Sequence, residues 1–268
     1  MNTRAHGAHG VLLVFCLTLF AGCLADPGSE EPEATEAAPV TAAPAVTRTV
    51  TIVTTTIIQM TWGQDSWAVR SVVLPSVQAG DAIVVSGMYW ISSGPAAAPT
   101  DSRGPLAVAV NQAPLYSHPP VAAQIYYQLN AAPGSHTITP PNLAYGGDGT
   151  FYVIQVRGLT GSFVGAAHNH ADGTALTSIS TQLATAASVG DFVVAVGGED
   201  DQVDFGPNAG MSAPPSGWQL TGVQNNASTN VPSAAFSRTV AAAGPQPVTW
   251  RWNDNTANVT GAAIAAFR

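Results

Sequence analysis

The segment of this chain whose residue types and spacing most suggest chemistry is His168-Asn169-His170-Ala171-Asp172. Side chains alternate along an extended strand, so His168, His170 and Asp172 share one face there. Imidazole and carboxylate groups suit Zn²⁺ or a similar ion. A structural metal site needs roughly three or four ligands, and two at period two arise readily without a metal; the competing expectation is a polar, exposed strand end or loop. A second cluster, Glu199-Asp200-Asp201 with Asp204, follows an apolar run and precedes Gly206-Pro207. Carboxylates in a loop at a sheet end suit Ca²⁺, although EF-hand spacing is absent and a solvated acidic loop is the plainer expectation. Paired acids also serve glycoside hydrolases as general acid and nucleophile or base, but nothing in this loop fixes the separation such a pair needs. The third group is aromatic. Trp250 and Trp252 lie two apart and point the same way from a strand. Such a pair forms either core or a stacking platform for sugar rings, with Tyr126 or Trp90 as further stacking residues.

Other chemistries are excluded by what the chain lacks. It has no Lys and two Cys, and neither Cys lies beyond residue 23. Schiff-base and thiolate chemistry are therefore closed to the folded part, as are disulfides and zinc thiolates. No Gly-x-Ser-x-Gly elbow occurs, and Ser86 and Ser135 lack the strand-to-helix setting that exposes a nucleophilic serine. His118 and His136 are isolated and read as structural. The formal net charge is −8 and only 9% of residues are charged. Nucleic acid is an unsuitable partner, because phosphate binding needs clustered basic groups. The expectation leans away from an enzyme and toward no cofactor, with Ca²⁺ the one metal considered in the acidic loop.

The elements that must position these residues begin after an address. Arg4 and the α-amino group precede an apolar run, Val11–Phe20, too short to span a bilayer as a stable helix. Small residues Ala21 and Gly22 lead to Cys23. The segment Leu19-Phe20-Ala21-Gly22-Cys23 resembles the lipobox of bacterial lipoproteins, with Phe20 where Leu is usual. The resemblance implies that residues 1–23 are a signal peptide region, that Cys23 becomes the lipidated (palmitate-bearing) first mature residue, and that the chain is exported to the outer membrane or cell surface. Multiple acyl chains hold a soluble domain on a membrane without a spanning helix. Residues 24–47 carry Asp26, Glu30, Glu31, Glu33 and Glu36 among Pro, Ala and Thr. They bury too little apolar area to offset chain entropy and read as a disordered, semi-extended linker.

From Arg48 onward, short β-branched and aromatic runs alternate with Gly, Pro, Asn and Asp. Examples are Thr49–Val53, Ala82–Val85, Gln124–Tyr127, Phe151–Ile154, Phe192–Val196 and Val248–Trp252. These are strand signals in an all-β pattern, and the Ala-rich piece Ala241–Gly244 reads as a turn. The chain also repeats itself. Ala79–Gly87 parallels Val189–Gly197, Ala131–Thr139 parallels Ala242–Trp250, and Phe151–Val156 parallels Ala262–Phe267, all at an offset of 110 or 111 residues. A constant offset predicts two tandem antiparallel β-sandwich modules, immunoglobulin-like or jelly-roll-like, over 48–159 and 160–268. The repeated Gly-Asp before a strand suits a tight turn in which Asp bonds nearby backbone amides. The near-continuous apolar runs that follow suit central strands buried on both faces. The second copy, with Pro215-Ser216-Gly217-Trp218 and Ser237–Gly244, is similar to a β-sandwich module recurrent in bacterial extracellular proteins, which implies a surface-exposed structural or binding role and supplies no catalytic residues.

The function expected from the sequence is a non-catalytic, lipid-anchored surface binding or envelope structural protein. The membrane is reached through the anchor alone, and a polysaccharide or a protein is the partner. The alternatives are a carbohydrate-binding protein using Trp250 and Trp252, and an extracellular glycoside hydrolase using the acidic loop. A sandwich hosts any of these, so fold alone cannot choose.

Overall fold

Strand content follows from the β-branched and aromatic runs, and the computed structural model is all-β. It describes residues 49–60, 70–90, 97–112, 121–141, 143, 148–199, 213–224, 231–252 and 257–268. Cys23, Asp200, Asp201 and Asp204 lie outside the described residues. Among the described residues fifteen strands run in order: β1 Thr51–Met60, β2 Val72–Val77, β3 Ala82–Trp90, β4 Thr100–Asp101, β5 Ala107–Asn111, β6 Val121–Gln128, β7 Gly134–Thr139, β8 Gly149–Arg157, β9 Phe163–Leu176, β10 Ser178–Thr181, β11 Phe192–Glu199, β12 Gln219–Gln224, β13 Ser233–Thr239, β14 Val248–Arg251 and β15 Ala257–Phe267. Among the described residues there is no helix, and none long and apolar enough to cross a membrane. Residues 46–268 form one compact unit.

Two five-stranded antiparallel sheets carry the structure, ordered β1-β8-β3-β6-β5 and β12-β13-β11-β15-β9. Read through the sequence repeat, β1 corresponds to β9, β8 to β15, β3 to β11, β6 to β13 and β5 to β12. The two sheets therefore have the same strand order. Two smaller sheets, β2-β7-β4 and β10-β14, cover their outer faces.

Three apolar cores hold these four layers together. Ile83, Val85, Tyr126, Phe151 and Val153 of the first large sheet pack with Leu74, Val77 and Ile138 of its small sheet. Val193, Ala195, Phe236, Ile264 and Ala266 of the second pack with Ile179, Val248 and Trp250 of the other small sheet. The largest core joins the two large sheets to each other. It sets Val84, Met88, Ile125, Tyr152 and Ile154 against Val194, Val196, Ala235, Ala263 and Ala265. The unbroken apolar runs now have a physical reason. Successive residues of β3 and β11 serve different cores, so every residue from Ala82 to Val85 and from Phe192 to Val196 is buried.

Register fixes how the large sheets lie. A Cβ on Gly261, near the start of β15, would meet Met88 Cε, Gln112 Oε1 and the Ala123 N, all at the same end of the first sheet. The Tyr152 hydroxyl, near the start of β8, donates to Ser233 O at the start of β13 at 2.8 Å. Tyr152 is wholly buried, and that burial raises its pKa, against the pull of its Ser233 and Gln224 hydrogen bonds. The Gln59 side-chain amide donates to Gln224 Oε1 across the same seam. The strands β3 and β11 thus run the same way, and their C-terminal ends share one pole.

The opposite pole is built from tight turns, and the Gly-Asp expectation is met there. Gly80 and Gly190 sit at φ of 86° and 89°. Asp81 accepts the Gln78 N–H at 2.9 Å and Asp191 accepts the Ser188 N–H at 2.8 Å. An arginine at the end of the last strand of each half adds a bidentate pair. Arg157 donates Nε and Nη2 to Asp81 at 2.8 and 2.9 Å, and Arg268 does the same to Asp191 at 2.7 and 2.9 Å. Both carboxylates are buried while the guanidinium groups remain partly in water.

Burial by itself pushes the Asp81 carboxyl up. The hydrogen bonds from Arg157, Gln78 and Gln155 and the Arg157 charge together outweigh it and hold the group below its usual 3.8. A carboxyl depressed by folding contributes stability above its unfolded pKa and loses it as pH falls through the folded value. Asp81→Asn should therefore cost about 2–3 kcal/mol at neutral pH. The gap between variant and parent should close as pH drops below about 4. Urea unfolding at pH 7 and pH 2.5 checks this; a gap of constant size would contradict it.

Candidate functional site

Trp250 and Trp252 are placed in the core, which corrects the sugar-platform expectation. Trp250 is 1% exposed and Trp252 4%. Trp250 stacks on Phe236 with ring centroids 5.5 Å apart and planes 9° apart, and its indole N–H donates to Ala234 O at 3.0 Å. Trp252 donates to Leu176 O at 2.6 Å. Both rings fill the space between β14 and the second large sheet, so no pyranose reaches their faces. Alternation correctly put the two on one face, but that face is covered by the sheet it packs on. Trp218 also joins this core, with Arg238 stacked 5.4 Å above its ring. Tyr126 is likewise buried, with its hydroxyl pushed up to about 12 by burial and by Tyr89. Trp90 packs, half-buried, against the core between the large sheets.

The histidine segment lies in β9, an edge strand. His168 faces Ala263 of β15, His170 faces Gly261 and Asp172 faces Val259. All three are exposed. They share a face, as expected, but residues two apart on a strand are about 6.6 Å apart and their side chains project side by side. Among the described residues no group of three or more His, Cys, Asp or Glu could hold a metal ion. Glu199 is buried at the end of β11 opposite Thr260, not in a solvated loop. Its three acidic neighbours in the sequence are outside the described residues.

His136 has a structural setting that its isolation in the sequence could not reveal. It is fully buried, with Nδ1 2.6 Å from Asp101 Oδ2 and Nε2 2.7 Å from Ala132 O. A carbonyl only accepts, so Nε2 carries a proton. Both ring nitrogens are committed, which leaves none to take a proton from a substrate. The pair ties β7 to the short strand β4.

One concave surface is built around a residue the sequence singled out. A groove of about 370 Å³ opens between β9 and β10, lined by Ala167, His168, Asn169, Ser180, Thr181, Gln182 and Pro247. Its walls are held in place by hydrogen bonds. Asn169 Nδ2 donates to Ser180 O at 2.8 Å and Asn169 Oδ1 accepts the His170 N–H at 2.9 Å. The Ser180 and Thr249 hydroxyls lie 2.7 Å apart and fix β10 to β14. The same link recurs in the first half between Ser71 and Thr139 at 2.8 Å. Most of its exposed lining is apolar; among the polar side chains Asn169 and Ser180 are already hydrogen-bonded and Thr181 is buried, while His168 and Gln182 are exposed. Among the described residues the lining contains no carboxylate, ammonium or guanidinium. The groove is shallow and open to solvent, and its exposed His168 and Gln182 can exchange hydrogen bonds with a neutral, hydroxyl-rich or amide-rich ligand.

Of the candidate site residues named from the sequence, the described lining of the groove includes only His168, with its neighbour Asn169 beside it. Ser180, Thr181, Gln182 and Pro247 are ordinary polar and turn residues with no motif. The fold alone brings them together, by pairing β10 with β14 beside the free edge of β9. Family models, curated proteins and solved structures were each compared with the chain, and none matches it.

Proposed function

We propose that this chain is an exported, lipid-anchored surface protein of two sandwich modules that binds a neutral carbohydrate chain without transforming it. The observation that carries the binding reading is the β9–β10 groove, whose described lining is uncharged and largely apolar, with His168 and Gln182 exposed in it. Sugar hydroxyls pair with the Gln182 amide and the His168 imidazole, and the apolar faces of Ala167 and Pro247 suit the C–H face of a ring. The carbohydrate reading thus moves from the tryptophans to the groove. The anchor reading rests on the lipobox-like segment ending at Cys23, and the module reading on the repeat and on the matching strand order of the two large sheets.

Titration of the full chain with a panel of neutral and acidic polysaccharides, followed by calorimetry, tests the binding. A neutral glycan should bind, and Gln182→Ala and His168→Ala should each weaken it about fivefold or more, since each removes a hydrogen-bonding group worth about 1 kcal/mol. Both side chains are exposed, so the melting temperature should hold. Equal affinity in the variants would put the ligand elsewhere. Incorporation of labelled palmitate, lost in Cys23→Ser, tests the anchor separately.

A further inference from the structure

We infer that β1 is a self-association edge, through which two copies of the chain pair antiparallel about a twofold axis and continue the first large sheet from one copy into the other. An edge strand offers a row of outward N–H and C=O groups that can template another strand, and proteins blunt such edges with charge, proline, bulges or short length. Three of the four edges of the large sheets are blunted. The strands β5 and β12 are short, and each is broken by a register shift, at 109 and at 221. The long edge β9 carries His168, His170 and Asp172, all exposed.

The remaining edge has none of these devices along most of its length. Residues 49–60 contain neither a charged residue nor a proline. The one irregularity in β1 falls between Ile52 and Thr54, and Thr54–Met60 then runs in unbroken register against Gln155–Gly149. Val53 and Ile57 are 42% and 39% exposed. Among the described residues, β8 is the one strand paired with β1.

The occupant is a second copy because the strand is complementary to itself. A twofold axis at Thr56 sets Thr56 against its copy, and Ile57 and Ile58 against Thr55 and Thr54 of the second copy. Hydroxyl and β-branched cross-strand pairs of this kind favour sheet formation. Charge points the same way. In a chain of net charge −8, an edge without charged residues adds no like-charge repulsion between two copies.

Sedimentation equilibrium of the full chain tests this with a charge exchange. The parent chain should show a concentration-dependent dimer. Thr56→Lys alone and Thr56→Glu alone should each weaken it about tenfold or more, because like charges then face each other across the axis. An equimolar mixture of the two variants should restore it. If the Thr56 variants melt early, amide exchange of the parent chain serves: protection across Thr54–Ile58 should rise with concentration, and protection indifferent to concentration would overturn the inference. A chain that stays monomeric at every concentration would overturn the inference, as would a dimer indifferent to both charges or a mixture that fails to recover.

Discussion

Replacing Trp250 with alanine should cost about 3–5 kcal/mol, the usual loss for a large buried aromatic. In a chain of this size that corresponds to a fall in melting temperature on the order of 10 °C. The indole is 1% exposed, stacked on Phe236 and bonded through its N–H to Ala234 O. Its ring also lies against Gly197, where an added Cβ would come within 2.4 Å of Trp250 Cδ2. Loss of the ring leaves a cavity walled by a strand backbone and cannot be repaired by a small shift. Trp250→Phe should cost less, since it keeps much of the contact with Phe236 and forfeits the bond to Ala234. Thermal denaturation of the two variants decides the matter. A Trp250→Ala chain that melted within a degree or two of the parent would contradict the core placement and return this residue to the stacking-platform alternative.

The second large effect is expected at Val194. This residue is fully buried in the core shared by the two large sheets. In Val194→Asp an unpaired carboxylate enters that core with no partner, at a cost of more than about 4 kcal/mol. The consequence should extend beyond β11. The face of β3, β6 and β8 that carries Val84, Ile125 and Ile154 is buried by the second sheet, so weakening one half exposes the other. Amide exchange should therefore show β3 and β8 losing protection together with β11 and β15. Native protection in β3 and β8 beside free exchange in β11 and β15 would mean that the halves are stable independently.

Much of the strand pattern was legible because it depends on local chemistry. Ala82–Val85, Gln124–Tyr127, Phe151–Ile154 and Phe192–Val196 all lie within strands, since β-branched and aromatic residues fit a pleated, packed surface. Ala241–Gly244, expected as a turn, is a bend at Ala241 and Ala242 followed by Gly244, at φ of 140°, in an isolated bridge to Ala187. The Gly-Asp turns were readable for their backbone bonds, but not for their arginine partners. Arg157 and Arg268 lie some 76 and 77 residues downstream, and only the antiparallel return of β8 and β15 brings them back.

Burial on both faces was readable in β3 and β11 as unbroken apolar sequence. What each face packs against was not, because nothing along a strand identifies its neighbouring layer. The same limit left Trp250 and Trp252 open between core and surface. The groove was the least legible feature. His168 drew notice through its neighbour His170, yet its companions in the groove are Ser180, Thr181 and Gln182, residues common in any loop. The pairing of Asp101 with His136 was hidden for a similar reason, since the two stand 35 residues apart and meet only where β4 joins β7.

The groove between β9 and β10 carries the functional reading, and amide and side-chain NMR during titration with a neutral polysaccharide tests it most directly. The resonances of His168, Asn169 and Gln182 should shift together and saturate at one affinity, while those of Trp250 and Trp252 stay in place. Shifts confined to another surface, or none with any neutral glycan at millimolar concentration, would contradict the assignment of carbohydrate binding to this groove.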